Sequence, residues 1–226
     1  MTAETFATSR FRTVVFDLDG TLADTAPDLT AALNHALTAL GRPPIPPADV
    51  RHMVGHGVRA LLQKGLAATG EVTEALIDQG FPVFLEYYEA HVADHSHAFE
   101  GVEATLDALV ADGVTIAICT NKLEALTHRF LKAIGWENRF AVVIGGDTLP
   151  VRKPDPAPLF AAIARSGGAL PAAFIGDSIT DTDTAKAAGI PCVALSFGFH
   201  DRPPEQLGAD RLIDHWNQLI PALASL

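Results

Sequence analysis

The sequence TVVFDLDGT at residues 13–21 decides the fold. Residues 13–16 form a short, continuous apolar run with β-branched side chains, which is typical of a strand buried on both faces of a parallel sheet. Asp17 follows this run directly, and Asp19 and Gly20 come two and three residues later. Because ligands of open parallel sheets sit outside the carboxyl ends of the strands, this stretch predicts a functional site at the sheet edge.

The same order, an apolar run followed by a polar residue, recurs farther along the chain. Three more strands are predicted, at residues 114–119, 140–144 and 172–175. Helical patterns are found at residues 103–111, 123–134, 157–165, 181–188 and 210–223. Alternating strands and helices predict right-handed βαβ units, and therefore a doubly wound, Rossmann-like α/β fold with a parallel sheet.

The segment between the first two strands, about 95 residues, is too long for a loop inside a compact domain. Apolar stripes with helical spacing predict helices over residues 26–40, 58–67 and 73–91. We therefore expect an α/β core formed by residues 1–23 and 96–226, with a helical cap inserted at residues 24–95. A cap that leaves and rejoins the core near the site is placed to open and close over it.

The composition is that of a soluble globular protein. Of the 226 residues 48% are apolar, and the net charge of −11 argues against a nucleic-acid partner. Cys119 and Cys192 each lie in an apolar run and are predicted to be reduced core thiols. No stretch approaches the roughly 18 apolar residues of a membrane span. We expect a cytoplasmic protein without a membrane partner, and the pattern predicts no particular oligomeric state.

A cluster of carboxylates is predicted at the carboxyl edge of the sheet. Four acidic side chains follow two of the strands: Asp17, Asp19, Asp177 and Asp181. Because these charges repel one another, a bound divalent cation is expected, and oxygen-only ligands favour Mg²⁺. Two structural alternatives remain: Asp19 and Gly20 as a simple turn, and Ser178 with Asp181 as a capping box on the next helix.

Donors suited to an anion are predicted beside this cluster. Thr120 and Asn121, followed by Lys122, supply hydroxyl and amide donors after the second strand. Lys153 stands just before a helix whose amino end offers backbone amides, although a lone lysine can also be a solvated surface charge. Gly20 occupies a tight turn that brings backbone amides close to a ligand.

Taken in order, these motifs resemble those of the haloacid dehalogenase-like superfamily. The motifs are DLDGT at residues 17–21, Thr120-Asn121, Lys153-Pro154, and Gly176-Asp177 with Asp181. Residues 144–156 and 53–59 are similar to bacterial phosphoglycolate phosphatases. The resemblance implies Mg²⁺-dependent hydrolysis of a small phosphorylated metabolite, with 2-phosphoglycolate as the expected substrate.

The resemblance also implies roles for the acidic residues. Asp17 would attack phosphorus and become an aspartyl phosphate. Asp19 would protonate the leaving oxygen and then take a proton from the hydrolytic water. The Mg²⁺ ligands would be the Asp17 carboxylate, the Asp19 backbone carbonyl and the Asp177 carboxylate, with Asp181 as outer support.

The remaining implied roles concern substrate binding. Thr120, Asn121 and Lys153 would bind the transferring phosphoryl oxygens, where charge spreads in the transition state. In the cap, Gly55 would bring a backbone amide near the substrate. Arg59 would meet a substrate carboxylate, with a solvated helix residue as the alternative.

Two other functions fit parts of the pattern. A sugar-phosphate phosphatase or a β-phosphoglucomutase-like phosphotransferase would use the same nucleophile, and the mutase would form an isomeric sugar phosphate. A two-component receiver domain also groups acids, a threonine and a lysine around Mg²⁺. Receivers are much shorter, have no cap and lack an acid two residues after the phosphorylated aspartate, so this alternative is disfavoured.

Overall fold

A parallel sheet lies at the centre of the computed structural model, which describes residues 10–200 and 202–226. Within these residues the strands are β1 Thr13–Phe16, β2 Ala23–Asp24, β3 His97–Ala98, β4 Thr115–Cys119, β5 Val143–Ile144, β6 Ala172–Gly176, β7 Cys192–Leu195 and β8 Arg211–Ile213. Six of these described strands form one sheet in the order β5-β4-β1-β6-β7-β8, and their pairings are all parallel. The predicted α/β fold class is confirmed.

The helices lie on both faces of this sheet and in the segment between β2 and β3. In the described part of the chain they are α1 Ala26–Ala39, α2 Pro47–Arg51, α3 Val58–Thr69, α4 Glu74–Ala90, α5 Val102–Ala111, α6 Glu124–Ala133, α7 Ala157–Arg165, α8 Ile179–Ala188 and α9 Leu219–Ala224. None of them is both long enough and apolar enough to cross a membrane.

Strand β1 occupies the middle of the sheet and is buried along its whole length. Its side chains alternate between the two faces, so Val14 and Phe16 pack in one apolar cluster with Leu106 of α5. Val15 points to the other face and belongs to a second cluster with Leu159 of α7. The sheet is therefore covered by helices on both sides, as expected of a doubly wound fold.

The strand register explains how distant residues reach one edge. Phe16, the last residue of β1, is aligned with Ile118 of β4 and Ile175 of β6. Asp17 leaves the sheet one residue later, and Thr120 and Asp177 leave it two residues after their aligned partners. The three polar side chains therefore emerge together at the carboxyl ends of adjacent strands.

The helices α1 to α4 form an insertion joined to the core by a short ribbon. Strands β2 and β3 pair in the antiparallel direction, with Asp24 opposite His97, so the chain leaves and returns side by side. Helix α1 packs on α4 through a buried face that includes Leu33 and Leu37, and Thr73 caps α4 by accepting from the Leu76 amide. The helical insertion is confirmed, and the domain bounds at residues 24 and 95 stay a prediction.

The C-terminal segment differs from the prediction. The helix expected over residues 210–223 is wrong, because Arg211–Ile213 instead adds a parallel edge strand to β7. A 3-10 turn at Trp216–Gln218 follows, and α9 begins only at Leu219. Pro221 lies in the first turn of α9, where its missing amide hydrogen costs nothing, whereas a helix starting at residue 210 would place it in the interior.

Candidate active site

Three carboxylates meet at the carboxyl edge of the central strands. Asp17, Asp177 and Asp181 are buried, and one oxygen from each lies within 4.8 Å of the others. Asp17 is only 5% exposed, accepts a hydrogen bond from the Leu18 amide at 2.7 Å and is hydrogen-bonded to the Thr120 side chain. The structure thus brings together the acids predicted to surround a cation.

Lys153 lies between two of these carboxylates. Its Nζ is 3.1 Å from Asp17 Oδ1 and 2.6 Å from Asp181 Oδ1, and the residue is 3% exposed. Burial alone would lower the pKa of the ammonium, but the two carboxylates raise it above its ordinary value. Lys153 is therefore a buried cation and not a solvated surface charge.

Asp181 belongs both to the carboxylate cluster and to a capping box on α8, the two alternatives that the sequence left open. Its Oδ2 accepts from the Ser178 hydroxyl at 2.7 Å and from the backbone amides of Ser178 and Asp177 at 3.0 and 3.1 Å, which completes a capping box on α8. Its Oδ1 accepts from Lys153. Because both oxygens already accept hydrogen bonds, Asp181 is placed to orient Lys153 and Asp177.

Asp177 accepts hydrogen bonds from the turn after β1 and from the segment after β7. Its Oδ1 accepts from the Thr21 hydroxyl at 2.7 Å, and its Oδ2 accepts from the Phe199 amide at 2.6 Å. Gly20 has a φ of +82°, and a Cβ there would overlap Asp177 Oδ2 and the Phe199 ring. Only glycine fits this turn, so Gly20 makes room for the carboxylate.

The protein alone does not neutralise this cluster. Burial raises the pKa of Asp17 to about 6, despite the attraction of Lys153. Burial, with repulsion from Asp181 and Asp17, raises the pKa of Asp177 well above its usual range. Both shifts disfavour the ionised carboxylates, so a cation bound among them would stabilise the cluster. Its oxygen-only donors fit a hard divalent cation, since neither histidine nor thiolate takes part.

Asp19 forms an ion pair with Lys122, a residue outside the predicted set of site residues. Lys122 Nζ lies 3.0 and 3.2 Å from the two Asp19 carboxylate oxygens and donates to the Tyr88 hydroxyl at 2.7 Å. Thr25 donates a further hydrogen bond to Asp19 Oδ1 at 2.7 Å. Lys122 follows the predicted Thr120-Asn121 pair directly, and this position after β4 was the signal available in the sequence.

Thr120 and Asn121 lie beside Asp17, and Asn121 also links the core to the insertion. Asn121 Nδ2 donates to the Gly55 carbonyl at 3.1 Å and to the Lys153 carbonyl at 3.2 Å. Within the described residues, the buried Asn121 Oδ1 has no hydrogen-bond partner. The predicted phosphate-binding side chains therefore lie at the boundary between core and insertion.

A cavity at this boundary has a polar floor and an apolar wall. Core residues supply the floor: Asp17, Asp19, Thr120, Asn121 and Lys122. The wall is largely from the insertion: Leu29, Val54, Val58, Leu61 and Tyr88, with Leu126 from α6. Gly55 and Gly57 also line the cavity, both with positive φ. A small ligand here would contact the nucleophile candidate and the insertion together.

Arg59, the residue predicted to meet a substrate carboxylate, does not line this cavity. Its Nη2 lies 2.7 Å from Asp78 Oδ1 and 3.2 Å from Glu74 Oε2, and its side chain is 46% exposed. These partners belong to α4 of the insertion. The arrangement corresponds to the alternative of a solvated helix residue.

The fold and the site define a capped α/β enzyme with a carboxylate-rich centre. The family model described as haloacid dehalogenase-like hydrolase matches residues 14–195, and the chain belongs to this family. Family membership and the insertion exclude the receiver-domain alternative.

Individual proteins similar to this chain agree with that assignment. It is 45% identical over 220 residues to a phosphoglycolate phosphatase of Caulobacter vibrioides, covering 95% of this chain and 91% of that protein. It is 39% identical over 211 residues to a phosphoglycolate phosphatase of Agrobacterium fabrum, with 92% and 91% covered. The crystal structure of a predicted phosphoglycolate phosphatase from Haemophilus somnus 129pt is similar with a TM-score of 0.89 at 30% identity, covering 96% of this chain and 99% of that one.

Proposed function

We propose that the protein is a Mg²⁺-dependent phosphatase that converts 2-phosphoglycolate to glycolate and inorganic phosphate. The observation that carries this proposal is the position of Asp17, which lies on the floor of the cavity 3.1 Å from Lys153. A carboxylate next to a buried cation can attack a phosphoryl group whose charge that cation helps to bind. The similarity to phosphoglycolate phosphatases supports the choice of substrate.

The Mg²⁺ ligands in this proposal are the carboxylates of Asp17 and Asp177 and the backbone carbonyl of Asp19. Asp181 supports them through its hydrogen bond with the Asp177 amide. When bound, the ion supplies positive charge that keeps Asp17 ionised and helps to neutralise the phosphoryl oxygens. The raised pKa values of Asp17 and Asp177 support a cation at this place.

The first chemical step is attack by an Asp17 oxygen on phosphorus. The bond between phosphorus and the ester oxygen breaks, and Asp19 gives a proton to that oxygen as glycolate leaves. Lys153, the Thr120 hydroxyl and the Asn121 amide bind the transferring phosphoryl oxygens. The product of this step is a phosphoryl group bonded to Asp17.

The second step returns Asp17 to its starting form. Asp19, now ionised, takes a proton from a water molecule that attacks the phosphorus. The bond between phosphorus and the Asp17 oxygen breaks, and inorganic phosphate leaves. The apolar wall of the cavity limits the entry of other water during the first step.

We also propose a cytoplasmic location. Both cysteines are buried as unpaired thiols, in the part of the chain that the structure describes. Unpaired thiols of this kind are usual in a reducing compartment.

A phosphate-release assay tests the proposed function. The purified protein is assayed with 2-phosphoglycolate, hexose phosphates, nucleotides and pyrophosphate, each with Mg²⁺ and with EDTA. We expect the highest kcat/KM with 2-phosphoglycolate, loss of activity in EDTA, and recovery when Mg²⁺ is restored. Equal or better turnover of hexose phosphates, or an isomeric sugar phosphate as product, would overturn the substrate assignment.

A further inference from the structure

We infer that Lys122, together with Tyr88, is the pair that selects the substrate by binding its carboxylate. This inference rests on the proposed function and deepens it by assigning the group that recognises the second anionic end of the substrate. Neither residue belongs to the four motifs discussed above, and both line the cavity that contains Asp17, Lys122 on its floor and Tyr88 on its wall.

Lys122 is a buried cation that faces a cavity. Its side chain is 3% exposed, and its Nζ lies between the Asp19 carboxylate and the Tyr88 hydroxyl. A buried ammonium is costly unless it is paired, and in the described part of the chain Lys122 has Asp19 as its one carboxylate partner. The charge of Lys122 is thus available to any anion that enters and takes the place of Asp19.

Lys122 supplies the positive charge on the described surface of this cavity. Among the residues that line it in the described chain, Lys122 is the only one with a cationic side chain. Lys153 is engaged by Asp17 and Asp181, and Arg59 is bound to acidic residues on the surface of the insertion. A carboxylate placed against the apolar wall would therefore have Lys122 as its cationic partner among the described residues that line the cavity.

Tyr88 supplies a second donor at the same point. Its hydroxyl oxygen accepts the hydrogen bond from Lys122 at 2.7 Å, so its own hydrogen is left for another acceptor. In residues 10–200 and 202–226, this fully buried hydroxyl makes no second hydrogen bond. Lys122 and Tyr88 therefore offer an ammonium and a hydroxyl to one carboxylate.

The substrate has the right length for this arrangement. Three bonds separate phosphorus from the carboxyl carbon in 2-phosphoglycolate, so its two anionic ends are close together. Asp17, Asp19 and Lys122 all line the cavity, and Asp19, two residues after Asp17, lies 3.0 Å from Lys122 Nζ. A phosphoryl group at Asp17 therefore places the carboxylate near Lys122.

Binding at Lys122 has a consequence for Asp19. When the substrate carboxylate takes the place of the Asp19 carboxylate on Lys122, Asp19 keeps the hydrogen bond from Thr25 and, once it has taken a proton from solvent, can turn toward the ester oxygen as the acid of the first step. An ester without a second anion leaves Asp19 paired with Lys122. Binding of 2-phosphoglycolate therefore separates Asp19, the acid and base of the reaction, from Lys122.

The test compares two esters of the same shape. 2-Hydroxyethyl phosphate has a hydroxymethyl group in place of the carboxylate of 2-phosphoglycolate. The variants are Lys122→Met and Tyr88→Phe, with Lys132→Met on the exposed surface of α6 as the matched control. Circular dichroism verifies that each variant is folded.

We expect Lys122→Met to lower kcat/KM for 2-phosphoglycolate by about 100-fold and Tyr88→Phe by about 10-fold. The ratio of kcat/KM for 2-phosphoglycolate to kcat/KM for 2-hydroxyethyl phosphate should therefore fall in both variants, by at least about 10-fold in Lys122→Met, and Lys132→Met should change neither value. If Lys122 only positioned Asp19, the two esters would lose activity equally. Equal losses, or unchanged turnover of 2-phosphoglycolate, would overturn the inference.

A binding measurement separates this inference from the proposed function. By calorimetry, the wild type should bind 3-phosphonopropionate, which cannot be hydrolysed, at least about 10-fold more tightly than propylphosphonate, which lacks the carboxylate. Tyr88→Phe should reduce this difference. Equal affinities in the wild type would contradict the role of Lys122 even if 2-phosphoglycolate is hydrolysed. Failure of the wild type to release phosphate from either ester would instead contradict the proposed function.

Discussion

Replacing Asp17 by asparagine should stop turnover and, in metal-free protein, stabilise the fold. The amide of Asp17→Asn has nearly the shape of the carboxyl group but carries no charge and cannot act as the nucleophile. Burial raises the pKa of Asp17 from 3.8 to about 6, so the folded protein disfavours the ionised form. That pKa already includes the attraction of Lys153.

The size of the effect follows from this shift. A group whose pKa is raised on folding stabilises the protein below its unfolded pKa, and the contribution is lost as the pH rises through the folded pKa. At pH 7.5 the ionised Asp17 costs about 3 kcal/mol relative to a neutral group, and at pH 5 about half as much. The variant should be more stable than the wild type by these amounts. Relief of the repulsion on Asp177 acts in the same direction.

Urea unfolding in EDTA, followed by tryptophan fluorescence at pH 5 and pH 7.5, measures the difference. Asp183→Asn on the exposed side of α8 is the matched control and should change the free energy of unfolding by less than about 0.5 kcal/mol. Mg²⁺ should reduce the advantage of Asp17→Asn, because it binds the wild-type carboxylate. A variant that is less stable than the wild type at pH 7.5, or a difference independent of pH, would refute the electrostatic argument.

Other parts of the structure lead to further expectations. Asp28→Ala should lower the free energy of unfolding by about 3 kcal/mol in urea titrations. The reason is that the buried Asp28 carboxylate accepts hydrogen bonds from the amides of His95 and Ser96 and from the Ser96 hydroxyl. A loss below about 1 kcal/mol would contradict this anchoring role. Gly20→Ala should fold less stably and lose most of its phosphatase activity, since its Cβ would displace Asp177; wild-type kcat/KM would show that the turn tolerates a side chain. Cys119 and Cys192 should not react with a thiol reagent until the protein unfolds. Burial raises the pKa of Cys119 to about 12 and that of Cys192 well above its usual range, so neither forms the reactive thiolate in the folded protein. Rapid labelling of the native protein would contradict this prediction.

The sequence was sufficient to predict four of the six described strands of the main sheet, because these four are apolar runs with polar residues at their ends, whereas Cys192–Leu195 was not predicted as a strand. The run at residues 13–16 and the acids after it predicted both the central strand and the edge where the carboxylates meet. Parallel pairing then leaves little freedom, because aligned strands end at the same edge. The insertion was predictable from its length and its helical apolar stripes.

The missed features depend on contacts between distant residues. The pairing of Arg211–Ile213 with β7 is a tertiary interaction, and the apolar pattern alone did not distinguish this strand from a helix. Lys122 and Tyr88 are separated by 34 positions, and only packing of α4 over the end of β4 brings them together. Helical spacing likewise could not show that Arg59 faces Asp78 rather than the cavity.

The central claim is that Asp17 is covalently phosphorylated during turnover, and rapid-quench trapping tests it most directly. The protein is mixed with Mg²⁺ and 2-phosphoglycolate labelled with radioactive phosphate, quenched in acid within the first turnover, and digested with pepsin. The label should appear in the peptide that contains Asp17 and should be lost on treatment with hydroxylamine, as expected of an acyl phosphate. Steady release of phosphate with no labelled peptide, or label in a peptide without Asp17, would contradict the account.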